Sequence, residues 1–295
     1  MTRNPYLVLF LLASLWSSAF TAIKFGVETV PPTSLVAGRL LIGALLLLAF
    51  AASRGRVLPQ WGAEWGIYFV LGAAGYAIPF FLISWGEVLV DSGPAAILMA
   101  IMPLTTMMLA HFFARDEKMT VRKAVGLALG LAGVVVLVGP GALAKLGSDT
   151  VRELAIAGGA VFYAINAVIS RRLPPGDPVQ RSAAVVLCAA ILMMPIAIWS
   201  DFPLTDLDIS SWMSIGYLGV FPTAIATVIF FHLIDTQGAS FVSLNNYIIP
   251  CLGVLWGVLL LGETVTLQSM VALLIILIGI AVATAHKSAG TPAQR

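Results

Sequence analysis

Ten apolar stretches, each long enough to cross a bilayer, run through this sequence from residue 6 to residue 285. A membrane-spanning helix needs about 20 predominantly apolar residues. The stretches read as 6–26, 33–52, 66–86, 92–113, 121–139, 153–171, 181–200, 212–234, 239–261 and 266–285. Helix breakers punctuate them: Pro31-Pro32, Arg54-Gly55-Arg56, Asp91-Ser92-Gly93-Pro94, Pro140-Gly141, Pro174-Pro175-Gly176 and Thr236-Gln237-Gly238. Ten spans consume roughly 200 residues, so no connection in this 295-residue chain can hold a second folded domain. The chain is 60% hydrophobic and 10% charged, with mean hydropathy +1.00, whereas a soluble domain carries roughly 25% charged residues. Its solvent is therefore mostly lipid. That excludes a soluble enzyme, a nucleic-acid binder and a receptor with a folded ectodomain.

Two features of the ends and the cysteines need separate readings. Ser17-Ser18-Ala19 looks like a signal-peptidase site, but the apolar run continues past it to Val27, so the first stretch is expected to stay as a span. Cys188 and Cys251 both fall inside apolar stretches, which argues against a structural disulfide.

Lys and Arg concentrate in cytoplasmic loops, and their distribution here is uneven. With the N-terminus inside, the inner segments hold Arg3, Arg54, Arg56, Arg115, Lys118, Arg122, Lys123, Arg171, Arg172, Arg181, Lys287 and Arg295. The outer segments hold only Lys145 and Arg152, while Lys24 and Arg39 belong to spans. Both termini are expected in the cytoplasm. Between Arg181 and Lys287 there is no Lys or Arg, so the last three spans are oriented only by their neighbours.

The two halves of the chain resemble each other. Leu71-Gly72 recurs as Leu218-Gly219, Ala77-Ile78 as Ala224-Ile225 and Pro103 as Pro250, all 147 residues on, and Gly75 meets Pro222 at the same offset. One residue earlier, Glu117 and Thr120 fall on Glu263 and Thr266, Gly133 on Gly279 and Trp16 on Phe162. These spacings predict a first five-helix repeat over 1–147 and a second over 148–295. An odd number of helices per repeat inserts the second copy upside down. The four basic residues after the fourth span, against Glu263 alone after the ninth, agree with that inversion. Inverted repeats let a site near the midplane open to either side in turn.

Leu15-Trp16-Ser17-Ser18-Ala19-Phe20, followed by Lys24, Pro31-Pro32 and Arg39, resembles the opening of the EamA family in the drug/metabolite transporter superfamily. Pro250, Leu261-Gly262-Glu263 and Gly279 resemble its second half. The resemblance covers nearly the whole chain. It implies an all-α membrane protein of ten transmembrane helices in two inverted five-helix repeats, acting as a bacterial inner-membrane exporter. Among its members the chain looks most like amino-acid and metabolite exporters, including the aromatic-amino-acid group. It lacks the dense intramembrane Lys and Arg that phosphorylated cargo would call for.

Charge inside a membrane costs about 2.5–3.5 kcal/mol on insertion scales, so Lys24 and Arg39 need a reason. Lys24 is spaced to pair with Glu28 at i,i+4. Arg39, about two turns into the second span, is the deepest charge; it either offers a cation to a cargo carboxylate or snorkels outward. The mid-span prolines Pro103 and Pro250 each free a carbonyl one turn back, which marks Ala96, Met99 and Ala100, then Ser243, Asn246 and Tyr247 with Asn245, as cavity candidates. The paired asparagines either bind cargo or hydrogen-bond between helices. Trp16, Phe20, Tyr76, Phe80, Tyr163 and Asn166 complete the candidate substrate-binding set, with Ser17, Thr223 and Thr227 as further intramembrane polar positions. Aromatic faces with a few amides and hydroxyls suit a neutral amphipathic cargo. Trp61, Trp65, Trp199 and Trp212 are expected in the interfacial aromatic belt.

The glycines at 126, 130 and 133, and at 253 and 257, permit close helix approach within a monomer. No Gly-x-x-x-x-Gly-Lys-[Ser/Thr] loop occurs, and His111, His232 and His286 lack companions at ligand spacing, so neither a P-loop nor a metal or other cofactor is expected. No activated nucleophile or acid–base pair sits at one depth, which argues against an intramembrane enzyme, and the polar positions do not form the rings of a pore. The expected partners are a small-molecule substrate and the lipid bilayer. The reading is a secondary carrier that exports small amphipathic metabolites, amino acids including aromatic ones foremost. A lipid or drug flippase on the same fold is the alternative.

Overall fold

The computed structural model describes residues 4–55, 58–113, 120–138, 148–170, 176–200, 207–237, 239–242 and 245–284, and among them every regular element is helical. In chain order they are α1 (Pro5–Val27), α2 (Pro32–Ser53), α3 (Glu64–Glu87), α4 (Ser92–Met99), α5 (Met102–Phe113) and α6 (Val121–Val138). There follow α7 (Ser148–Ser170), α8 (Pro178–Trp199), α9 (Ile209–Gln237), α10 (Ala239–Val242), α11 (Asn245–Trp256) and α12 (Leu267–Thr284). Among the described residues seven segments are, by length and composition, long and apolar enough to cross a membrane, and shorter apolar helices cover Ile248–Leu261 and Leu267–Ala283. This is a multi-pass membrane protein. Each predicted span overlaps one helix or a helix pair; Arg115, Lys118, Arg171, Arg172 and Lys287 lie outside the described residues.

Local chemistry sets the helix ends. Proline at N1 starts α1, α2 and α8, where its missing N–H costs nothing. Asn4, Asp177 and Asp208 cap their helices by accepting from backbone amides. The Asp208 carboxylate also accepts from the hydroxyls of Ser210 and Ser211, and these bonds hold it below the usual carboxylate range.

The matched prolines act differently. The fourth span breaks at Ala100–Ile101, ahead of Pro103, where the amides of residues 100 and 101 fold back on the carbonyls of Ile97 and Leu98 at 3.0 and 3.2 Å. In the ninth, the helix runs through Pro250 and loosens later, into a π turn at Gly257–Leu261. Wide π turns also interrupt α3 at Ala73–Ala77 and α9 at Gly219–Ile225. The latter holds Pro222, whose missing N–H cannot reach Leu218; the Thr223 hydroxyl donates to that carbonyl instead, at 2.7 Å.

Helices meet through small residues, as lipid supplies no hydrophobic drive between them. α1 packs against α9 and α11, α7 against α3, α4 and α5, α2 against α8 and α9, α8 against α3, and α6 against α12. Bulky side chains such as Leu7, Phe10, Leu45, Ile196, Leu259 and Leu274 point outward, while Ala13, Ala37, Ala44, Ala184 and Ala189 fill the contacts. The glycines of α6 pack within the chain: a Cβ at Gly126 would lie 2.5 Å from Ala283 Cβ and 2.5 Å from Gly279 O, and one at Gly133 2.6 Å from Ile276. Gly126→Val is expected to destabilise the protein by about 1–3 kcal/mol, as overpacked cores do. Thermal unfolding of the detergent-purified variant, compared with Gly66→Val at an open position, checks it.

Candidate functional site

The deepest charge is also the best-placed. Arg39 is 2% exposed, so it does not snorkel. Its guanidinium lies 3.8 Å above the Phe80 ring of α3, and its Nε donates to Thr223 Oγ1 of α9 at 3.2 Å. The Thr223 hydroxyl, next to Pro222, is itself fixed: it donates to Leu218 O and leaves its lone pair for Arg39. Among the described residues no carboxylate lies within ion-pair distance of Arg39, and its two Nη atoms have no hydrogen-bond acceptor. The guanidinium is thus held on one side by an aromatic face and a hydroxyl, and its planar fork, the shape that meets carboxylates two bonds at a time, has no partner among the described residues.

Around it stand most of the predicted residues. Tyr76, one turn before Phe80, stacks edge-on against that ring at 5.5 Å and donates to Thr227 Oγ1 at 3.3 Å. Tyr163 packs against both the cluster containing Phe80 and the cluster containing Phe20 and Met99. Asn166, one turn on from Tyr163, rests on Gly75 within the π turn of α3: a Cβ at residue 75 would lie 2.6 Å from the Asn166 side chain. The Asn166 Oδ1 is buried without a hydrogen-bond donor. Arg39, Tyr76, Phe80, Tyr163 and Asn166 therefore form one group between α2, α3, α7 and α9.

The remaining predicted residues lie apart from that group. Phe20 and Met99 sit in the core where Gly253 of α11 meets Ala96 of α4; a Cβ at 253 would lie 2.3 Å from the Ala96 Cβ. Trp16 packs on Phe230 at 5.5 Å, in a cluster with Leu9 and Leu12. Asn245 is buried, and neither of its amide atoms has a partner among the described residues. Asn246 and Tyr247 lie on α11, with side chains outside the described residues, and Ser243 lies outside the described residues altogether.

Two readings of the sequence need correction. Lys24 does not pair with Glu28; its ammonium turns to Asp91 at 3.4 Å and to the carbonyls of Glu87 and Val90. Trp65 is not an interfacial ring but is buried, its indole N–H reaching the carbonyls of Pro59 and Gln60, whereas Trp61 and Trp199 are exposed as expected. Glu87 ends α3 and is wholly buried. Sequence reasoning also missed Trp256, whose indole donates to Ser17 Oγ at 3.0 Å and ties the end of α11 to α1. The adjacency of Thr223 to Pro222 was the signal available for the Arg39 contact.

Known proteins resemble the chain over nearly its full length. It is 29% identical over 286 residues to the uncharacterized inner membrane transporter YedA of Escherichia coli, covering 95% of this chain and 90% of that protein. It is 24% identical over 250 residues to the "Probable terminal-alkyne amino-acid exporter" of Streptantibioticus cattleyicolor, covering 84% and 82%. A solved crystal structure matches with a TM-score of 0.68 at 26% identity, over 95% of this chain and 98% of that one. The model of the EamA-like transporter family matches residues 4–139 and 151–285, and the chain belongs to that family of membrane transporters.

Proposed function

We propose that the chain is an inner-membrane secondary carrier that exports small amphipathic metabolites, amino acids including aromatic ones foremost, by alternating access. One observation carries the substrate class: the buried Arg39, which among the described residues has no carboxylate at ion-pair distance and no acceptor on its Nη atoms, beside Tyr76, Phe80 and Tyr163. A carboxylate fits the fork and an apolar side chain fits the rings. The amino-acid exporter and inner membrane transporter among the relatives support cargo class and membrane.

Ten spans in two inverted repeats, 1–147 and 148–295, are the architecture of this reading. The helix pairings support it. The first span meets the eighth and ninth where the sixth meets the third and fourth, the second meets the eighth where the seventh meets the third, and the fifth meets its own mate, the tenth. The π turns of α3 and α9 also fall at equivalent positions. Both termini lie in the cytoplasm, by the distribution of Lys and Arg.

Efflux of a labelled amino-acid mixture from proteoliposomes, with no ion gradient, tests the function. Selective release that excess unlabelled cargo inhibits is the expected result. No release, even under an imposed pH gradient, would overturn it in favour of a lipid or drug flippase.

A further inference from the structure

We propose that Glu87 is a proton-binding site of the carrier cycle, switched by Lys24. It lies at the end of α3, 0% exposed, and neither carboxylate oxygen has a hydrogen-bond donor among the described residues. An ionised carboxylate in that position is so costly that the group takes up a proton instead. The one ammonium beside it is fully committed elsewhere. Lys24 has three N–H donors, and they meet Glu87's own backbone carbonyl at 3.1 Å, the Val90 carbonyl at 3.0 Å and the Asp91 carboxylate at 3.4 Å. None is left for the Glu87 side chain.

Other unpartnered groups share these faces. Thr21 precedes Lys24 by three residues on α1, and Ser84 precedes Glu87 by three on α3, so each pair shares a helix face; the hydroxyls of Thr21 and Ser84 are buried and unbonded too. The contact between α1 and α3 is thus underbonded, unlike the tightly capped start of α4 beside it.

The surrounding charges are already engaged. From α2, Arg39 is turned to Phe80 and Thr223. Before α4, Asp91 holds Lys24, and the Glu263 carboxylate accepts from Ser92 and Gly93. From α7, Arg152 lies over Trp85 and donates to its carbonyl, with Glu153 beside it and Tyr163 deeper on the same helix. Tyr76 on α3 itself donates to Thr227. Lys24 is therefore the group whose movement changes Glu87. When α1 shifts against α3, its ammonium leaves the carbonyls at the helix end and meets the carboxylate, and the proton departs to the solution then open to the site. Acid favours the arrangement described, and alkali favours the one in which Lys24 and Glu87 pair.

The inference rests on the carrier reading, but its test needs no cargo, so the two fail separately. In lipid at about pH 7 ordinary carboxyls, with pKa near 4, are ionised. Infrared spectra of the reconstituted protein are expected to contain the carbonyl stretch of a protonated carboxyl that bleaches on alkalinisation and is lost in Glu87→Gln. Glu87→Asp should move the band, which covers the case of a glutamine variant that does not fold. Lys24→Met should push bleaching to higher pH. Absence of the band in the wild type, or its persistence in Glu87→Gln, overturns the site; bleaching unchanged in Lys24→Met overturns the switch. Bleaching by sodium at constant pH would make it a metal-cation site and overturn the proton assignment.

Discussion

Arg39→Ala is expected to reduce efflux of carboxylate-bearing cargo by tenfold or more while leaving that of the matching neutral amide within about twofold, since a hydrogen bond to a charged group is worth roughly 1.5–3 kcal/mol. The geometry sets the sign. The Nε atom and the guanidinium face are used by Thr223 and Phe80, so the two Nη atoms are what cargo can meet. A phenylalanine molecule and its amide share ring and amine and differ at the carboxylate, so their competition against labelled phenylalanine isolates that contact. Arg39→Lys distinguishes charge from shape: an ammonium keeps the charge but loses the planar fork and the stacking on Phe80. It should recover part of the carboxylate preference. Equal loss for acid and amide in Arg39→Ala would make the residue a strut between α2, α3 and α9 rather than a cargo contact.

The span positions were legible because bilayer thickness imposes a length that a hydropathy pattern cannot hide. Pro5, Pro32 and Pro178 at helix starts, and Gly126 and Gly133 at a helix contact, follow from steric rules that act within a few residues. What escaped was whatever depends on which neighbour turns toward a group. Lys24 and Glu28 sit at pairing distance in sequence, yet the approach of the α3 terminus hands Lys24 to Asp91 and to the carbonyls of Glu87 and Val90. Pro103 and Pro250 match in sequence, yet one breaks its helix and the other does not, because a freed carbonyl can be met by different partners in different surroundings. Of the candidate site, Arg39, Tyr76, Phe80, Tyr163 and Asn166 come together, while Trp16, Phe20, Met99 and Asn245 lie on other contacts of the same helices. Residue type identified them; only the packing separates those around the guanidinium from those that line helix seams.

Glu263→Ala is expected to cost about 2–3 kcal/mol, the scale for hydrogen bonds to a charged group whose donors are then orphaned. The Glu263 Oε1 accepts from the amide and hydroxyl of Ser92 at 2.8 and 2.7 Å, and its Oε2 from the amide of Gly93 at 2.9 Å. Those amides open α4, where the helix dipole also favours a negative charge, so the loop after α11 acts as the cap of a helix 170 residues earlier in the chain. Two glycines make this possible. Gly262 takes φ +67°, a left-handed turn that swings Glu263 back so that its amide meets Gly257 O at 3.1 Å. Gly257 leaves room for the carboxylate: a Cβ there would lie 2.4 Å from Glu263 Oε2 and 2.8 Å from Ser92 Oγ. Gly257→Ala should therefore evict the same carboxylate and reproduce much of the loss. Because both variants remove one interaction, the double variant should melt close to the worse single one rather than at their sum. Thermal unfolding in detergent measures the three, and hydrogen exchange at Ser92 and Gly93 should rise in each. Additive losses, or amides that stay protected in Glu263→Ala, would mean that α4 is held by its packing on α7 and α11 and not by this carboxylate.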